Sequence, residues 1–167
     1  TLYRGAQMVG EAMREVQKRD RAEIEAQGAA ADATVIMAGQ RKGGELRLFL
    51  IYTAGNFIEA GEDTPYMQIG EHKYGKPILD RVIKPDTPIE RAALCGLVSM
   101  ETTIRSNLTV GPPVEVCLLD AGTLQPGRYL RFDEDNSYMA DLRSRWNQLM
   151  QESFDKLQPL AFPRPGS

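Results

Sequence analysis

The sequence has one histidine, one tryptophan and two cysteines among its 167 residues. Each scarcity removes a class of chemistry. His72, with no paired cysteine or serine motif, gives no triad, and its place in a polar loop after Gly70 reads as a surface residue. Cys95 and Cys117 do not make a disulfide scaffold; each lies in an apolar run and reads as a small buried hydrophobe, which fits a reducing cytoplasm. No CxxC, HExxH or Walker-type loop occurs, so neither a metal nor a cofactor is expected. The run Asp133-Glu134-Asp135 precedes a helical pattern, and favourable placement at the positive end of the helix dipole accounts for it. No apolar stretch reaches the length of a membrane span, so a membrane partner is not expected. A basic face is lacking too. The net charge is -3, and the densest basic stretch, Arg14 to Arg21, is interleaved with Glu15 and Asp20, as on a solvated helix face. Nucleic acid is therefore not an expected partner, because phosphate binding needs a basic surface.

What is present is a globular composition, with 42% hydrophobic and 26% charged residues in a chain long enough for one domain with a core. Leu2, Met8, Val9, Ala12, Met13 and Val16 recur at helical spacing, with Thr1 at the N-cap position and Gly28 at the close. The period then changes. Ala33 to Ala38 and Leu46 to Tyr52 read as a hairpin around a turn at 42–45, Phe57 to Glu59 as a third strand, and Tyr66 to Ile69 as a fourth. A short helix follows from Pro77 to Ile83, stopped by Pro85.

A longer helix opens on Thr87-Pro88-Ile89-Glu90, which has the form of a capping box. Its expected apolar stripe is Ile89, Ala92, Ala93, Leu97, Met100 and Ile104, and the small residues Ala92, Ala93 and Gly96 predict close packing against a sheet. Val114 to Leu119 reads as the last clear strand, followed by a turn-rich linker from Asp120 to Arg128. A final amphipathic helix is expected from Ser137 to Leu157, with Tyr138, Leu142, Trp146, Leu149, Met150, Phe154 and Leu157 on its apolar side. The proline-rich tail from 158 to 167 reads as extended or disordered.

Strands grouped together and helices grouped together argue for a layered α+β fold, not an alternating parallel sheet. The strands read as buried on both faces, which predicts a sheet covered on each side.

Thr1 invites comparison with N-terminal threonine nucleophiles, whose own α-amine serves as the base. That chemistry needs a threonine opening a strand, beside a cation and an oxyanion hole. Thr1 opens a helix, so it reads as a cap. Two polar loops leave buried elements, one over Gln68 to Pro77 and one over Ile104 to Pro113. Loops leaving a rigid core commonly carry function, although turn chemistry alone also accounts for them.

Three stretches carry a resemblance: Phe49 to Glu59, Ile69 to Ile83, and Arg105-Ser106-Asn107-Leu108-Thr109-Val110-Gly111-Pro112-Pro113. They resemble motifs of the Anbu family, the bacterial proteasome-related ancestral β-subunits, over about Thr1 to Leu119. The resemblance implies an N-terminal-nucleophile hydrolase fold, an αββα sandwich here missing its first strands, over 1–136, with a C-terminal helix at 137–157 and the tail at 158–167. It implies a cytoplasmic homo-oligomer, a ring or spiral, performing threonine-type hydrolysis of a peptide or other amide substrate. The nucleophile, acid and lysine would lie upstream of Thr1, so no catalytic residue is expected in this chain.

Supporting positions carry over in part. Proteasomal β-subunits place a serine after a strand-ending glycine, where Glu71 stands here. They also carry an Arg-Asp-x-x-Ser-Gly run, in which Ser106 takes the place of the aspartate and Thr109 that of the serine. Glu71, Ser106 and Thr109 are thus expected together near the nucleophile's amine, where a carboxylate can hold an ammonium and hydroxyls can relay its proton. A non-catalytic assembly subunit of the same fold and a small-molecule amidohydrolase of the same superfamily are the alternatives.

Overall fold

Thr1 accepts a hydrogen bond from the Arg4 amide through its side-chain oxygen at 3.2 Å, and so opens helix α1, Leu2–Ala26. Gly28, with φ of +77°, takes the chain out of the helix. The computed structural model describes residues 1–125 and 127–162; of the proline-rich tail, 163–167 lie outside the described residues. After α1 come strands β1 (Val35–Gln40), β2 (Leu46–Ile51) and β3 (Phe57–Glu59), which form one antiparallel sheet in that order. Helices α2 (Lys76–Val82) and α3 (Ile89–Ser106) follow, then β4 (Val114–Leu118) and β5 (Arg128–Phe132), paired antiparallel, and helix α4 (Ser137–Asp155). The mixed helix-and-sheet class is as expected. No helix among the described residues is long and apolar enough to cross a membrane.

Side-chain alternation decides which sheet face is covered. Phe49 and Ile51 of β2 point towards α1 and are fully buried with Ala6, surrounded by Leu2, Val9, Met13, Val35, Met37 and Phe57. Leu50 points the other way, beside Ile36 and Ile58 in the pairing, and Ile58 is 43% exposed. The expectation of burial on both faces is therefore corrected: Leu50 and Ile58 border an open cleft of about 480 Å³. Across that cleft the segment Tyr66 to Ile69 is irregular, not the fourth strand expected. It finds no strand partner. Instead the Tyr66 hydroxyl bonds Asp80 at 2.5 Å, and Lys76 reaches both at 2.7 and 3.0 Å, which ties the segment to α2.

Helix α3 organises the other half. Leu97 packs with Val114, Phe132 and Met139 in a second core, joined by Ile104, Val116 and Leu142. Ile89 and Met100 lie outside the buried face, being 36% and 37% exposed; Cys95, Val98, Ser99, Glu101 and Thr103 are buried instead. Gly96 makes no close packing, since a Cβ there would meet nothing within 4 Å. The capping box is not formed. Thr87 accepts from the Lys84 amide at 2.8 Å, closing the turn before the helix, and Pro88 is the N-cap. Glu90 pairs with Arg128 at 3.2 Å.

Strand β5 begins where the expected linker ends and was not expected from the sequence, because Arg128, Tyr129, Leu130 and Arg131 are all exposed and leave no alternating signal. Cys117 is exposed, a correction to its expected burial: it shares the outward side of β4 with Glu115. Helix α4 is capped by Asn136, which accepts from the Tyr138 and Met139 amides. It docks on α3 through Arg143 to the buried Glu101 at 3.0 Å and Asn147 to Arg105 at 2.8 Å. Much of its expected apolar side is open: Tyr138, Leu149, Phe154 and Leu157 are 50%, 55%, 70% and 63% exposed.

Two glycines test this packing. Gly10 of α1 faces the β2–β3 turn so closely that a Cβ would sit 2.2 Å from the Gly55 carbonyl oxygen. That neighbour is backbone and cannot rotate away. Gly10→Ala should destabilise the protein by about 1–3 kcal/mol, the usual cost of overpacking. Gly96→Ala, with open space around it, should stabilise by up to about 1 kcal/mol through helix propensity. Urea unfolding of the two variants would show opposite signs; equal signs would contradict the packing described.

Candidate functional site

The two polar loops singled out in the sequence meet. Gly75, before α2, is buried with its backbone against α3: a Cβ there would lie 2.2 Å from the Ser99 hydroxyl and 2.9 Å from that of Thr103. The loop carrying Glu71 is thereby held alongside the last turns of α3. The helix ends at Asn107, whose backbone is extended (φ -139°, ψ 111°) while its amide still bonds the Thr103 carbonyl. The Asn107 side chain is thus released towards the neighbouring loop. Its Nδ2 donates to Glu71 Oε2 at 3.0 Å, and its Oδ1 accepts from the Thr109 backbone N–H at 2.9 Å and from the Thr109 hydroxyl at 2.7 Å. The other carboxylate oxygen of Glu71 accepts from the Lys73 amide at 3.0 Å.

Glu71 and Thr109, expected to lie together, are therefore joined through one intervening side chain. Ser106 is the last residue of α3, exposed, and stands outside this network among the described residues. Asn107 is the member that sequence reasoning missed. The available signal was an asparagine at the end of a long helix with a hydroxyl residue two positions on, a pattern that favours a local side-chain turn. Its partner Glu71, 36 positions away, could not be read from local sequence.

Electrostatics favour an ionised Glu71. The Lys73 backbone N–H holds its pKa below the usual glutamate value; burial opposes this, and the Asn107 amide adds to the lowering, with smaller electrostatic contributions from the Lys73 and His72 side chains. His72 is exposed, with Nδ1 at 3.2 Å from the Gly70 carbonyl, in keeping with a surface residue. Around the cleft bordered by Leu50 and Ile58, Lys76 and Tyr66 hold Asp80 below its ordinary range, while burial and then Asp80 push the Tyr66 phenol up. No group of three or more His, Cys, Asp or Glu side chains suited to a metal occurs among the described residues. Thr1 lies beside a shallow cleft with Leu2, Gly43, Arg47 and Glu59, its side chain spent on capping α1.

No protein-family model and no curated protein matches the chain. Solved structures do. Anbu, the ancestral beta-subunit, from Yersinia bercovieri is 43% identical, with a TM-score of 0.87 over 98% of this chain and 67% of that one. The family is decided by that match. The chain belongs to the Anbu family. Anbu from Hyphomicrobium sp. strain MC1 is 40% identical (TM-score 0.87, covering 97% of this chain and 65% of that one). An Anbu complex from Pseudomonas aeruginosa, solved as a helical assembly, is 39% identical (TM-score 0.88, covering 95% and 66%). The chain thus spans about two thirds of the length of these Anbu proteins. The four helices and small antiparallel sheets described above are Anbu architecture, and both loops of the Glu71–Asn107–Thr109 network lie in it.

The ionised Glu71 sets a pH dependence. Its pKa is lower folded than unfolded, so its contribution to stability is present above the unfolded value and lost as pH falls through the folded one. Melting temperatures of the unaltered chain and Glu71→Gln, followed downwards from neutral pH, should therefore converge below the ordinary glutamate range. A constant gap down to the lowest accessible pH would remove Glu71 as the source.

Proposed function

We propose that this chain is the part of an Anbu-type threonine amide hydrolase that follows the nucleophile-bearing strands. On this reading the complete subunit has the αββα sandwich of N-terminal-nucleophile hydrolases. Residues 1–136 contribute to that sandwich, 137–157 form its C-terminal helix, and 158–167 trail from it. The nucleophile, its acid and its lysine come from outside these 167 residues, and the substrate is a peptide or related amide. Glu71 and Thr109 stand beside the nucleophile's amine. Ser106, exposed at the end of α3, has no side-chain hydrogen bond among the described residues to tie it to that role.

The observation that carries this reading is the meeting of Glu71 with Thr109 through Asn107, because it unites two loops that separately resemble family motifs. Support for a missing layer comes from the sheet itself. The Leu50–Ile58 face is open, and β1 and β3 each have an unpaired edge among the described residues. An assembly of copies in the cytoplasm completes the proposal. Its supports are the helical assembly of the relative from Pseudomonas aeruginosa and the exposed apolar residues Phe154, Leu157, Leu160 and Phe162 beyond the α3 contact.

Hydrolysis of fluorogenic peptides by the complete subunit tests the reading. The 167-residue chain alone should be inactive, and Thr1→Ala should change nothing. In the complete subunit, Thr109→Val should lower kcat by about 10- to 100-fold, the scale of one hydrogen bond to a charged group, with little change in melting temperature. Turnover by the 167-residue chain that is abolished by Thr1→Ala would overturn the assignment and make Thr1 the nucleophile.

A further inference from the structure

We propose that the junction of α3 and α4 carries a receptor for a carboxylate, built on the guanidinium groups of Arg105 and Arg143.

Two residues of α3 one turn apart, Glu101 and Arg105, meet two residues of α4 one turn apart, Arg143 and Asn147. The first rung is an ion pair. Arg143 Nε donates to Glu101 Oε1 at 3.0 Å, and the Glu101 side chain is only 3% exposed. A carboxylate that deep requires its cation, so Arg143 is held in place. The second rung has the same kind of cation but no acid: Arg105 Nη1 donates to the neutral Asn147 Oδ1 at 2.8 Å. Glu101, Ile104, Arg105 and Arg143 together line a cleft of about 320 Å³. Its charges are two guanidiniums and one carboxylate, which leaves one positive charge unmatched. Other acids of the two helices are engaged elsewhere. Glu90 pairs with Arg128 and Asp141 with Arg145, Glu152 accepts from Gln148, and Asp155 is the last residue of α4.

The unmatched charge comes with donors already placed. A guanidinium has five N–H groups in a rigid fork. Arg143 uses one on Glu101 and Arg105 uses one on Asn147, so each keeps four among the described residues. Both side chains are anchored, so less freedom is lost when they close on a ligand. Forked donors suit a carboxylate or a phosphate, and charge decides between them. A carboxylate brings the cleft to neutrality. A phosphate dianion would leave excess negative charge beside the buried Glu101. The whole chain carries a net charge of -3, so any affinity for an anion is local to this cleft.

The one tryptophan, Trp146, directly precedes Asn147 in α4 and supplies the readout. Its fluorescence in the 167-residue chain, titrated with sodium acetate against sodium chloride at constant ionic strength, should change and saturate. The melting temperature should rise with acetate. Arg105→Gln should weaken the acetate response about 10- to 100-fold, the scale of losing hydrogen bonds to a charged group. Asn147→Asp puts the missing acid into the chain itself. It should raise the melting temperature without acetate and abolish the acetate response. Arginines that only dock α4 would give the first effect with no acetate response to lose.

An acetate response no larger than that to chloride overturns the proposal. So does tighter binding of inorganic phosphate than of acetate, or an Asn147→Asp chain that binds acetate like the unaltered one. Sedimentation in the same titration separates the sources of the carboxylate. Acetate binding to a monomer supports a free carboxylic acid as the ligand. Acetate that splits an assembly supports an acidic side chain of a second copy. If neither variant folds, the comparison of acetate, phosphate and chloride on the unaltered chain decides.

Discussion

The seating of Gly75 against Ser99 and Thr103 is the constraint on which the candidate site depends. A helix presents an ordinary side-chain layer to its neighbours, and a loop usually rides over it at a distance. Here the absent side chain of Gly75 lets backbone settle onto the hydroxyl-bearing face of α3, beside the turns that end at Asn107. Without that approach Glu71 would hang on a solvated loop. With it, a carboxylate fixed by its own loop through Lys73 falls within hydrogen-bond reach of a helix terminus. The same helix turns Leu97 to the second core and Glu101 to α4, so three separate requirements fix its rotation.

Much of this was legible in the sequence, for identifiable reasons. Helix α1 shows its stripe because Leu2, Val9 and Met13 all face one sheet. The first hairpin shows itself through apolar, partly β-branched strands around a glycine turn. Where reading failed, a tertiary partner was missing or unforeseen. Tyr66 to Ile69 has strand-like residues but no strand to pair with, and Tyr66 is drawn to Asp80 and Lys76 instead. β5 pairs with β4 while keeping Arg128 and Arg131 in ion pairs at the surface, so its pattern carries no period. Thr87 had the sequence neighbours of a capping box, but the turn before the helix claimed its hydroxyl first.

The candidate site divides in the same way. Glu71 and Thr109 were named because of the motifs around them. Asn107, which joins them, was not, because its importance arises from a contact spanning 36 residues. Ser106 was named from its motif position alone, and the end of α3 turns it to solvent.

The hydrophobic clusters share no residue: one gathers α1 and the first sheet, the other α3, α4 and the β4–β5 pair. Gln40 of β1 reaches across to the Gly122 amide at 2.6 Å, a contact that both partners make at the surface. Opening free energies differ between regions of a structure that bury their apolar side chains separately, so amide exchange should read the α1 hairpin layer and the α3-centred layer at different protection levels.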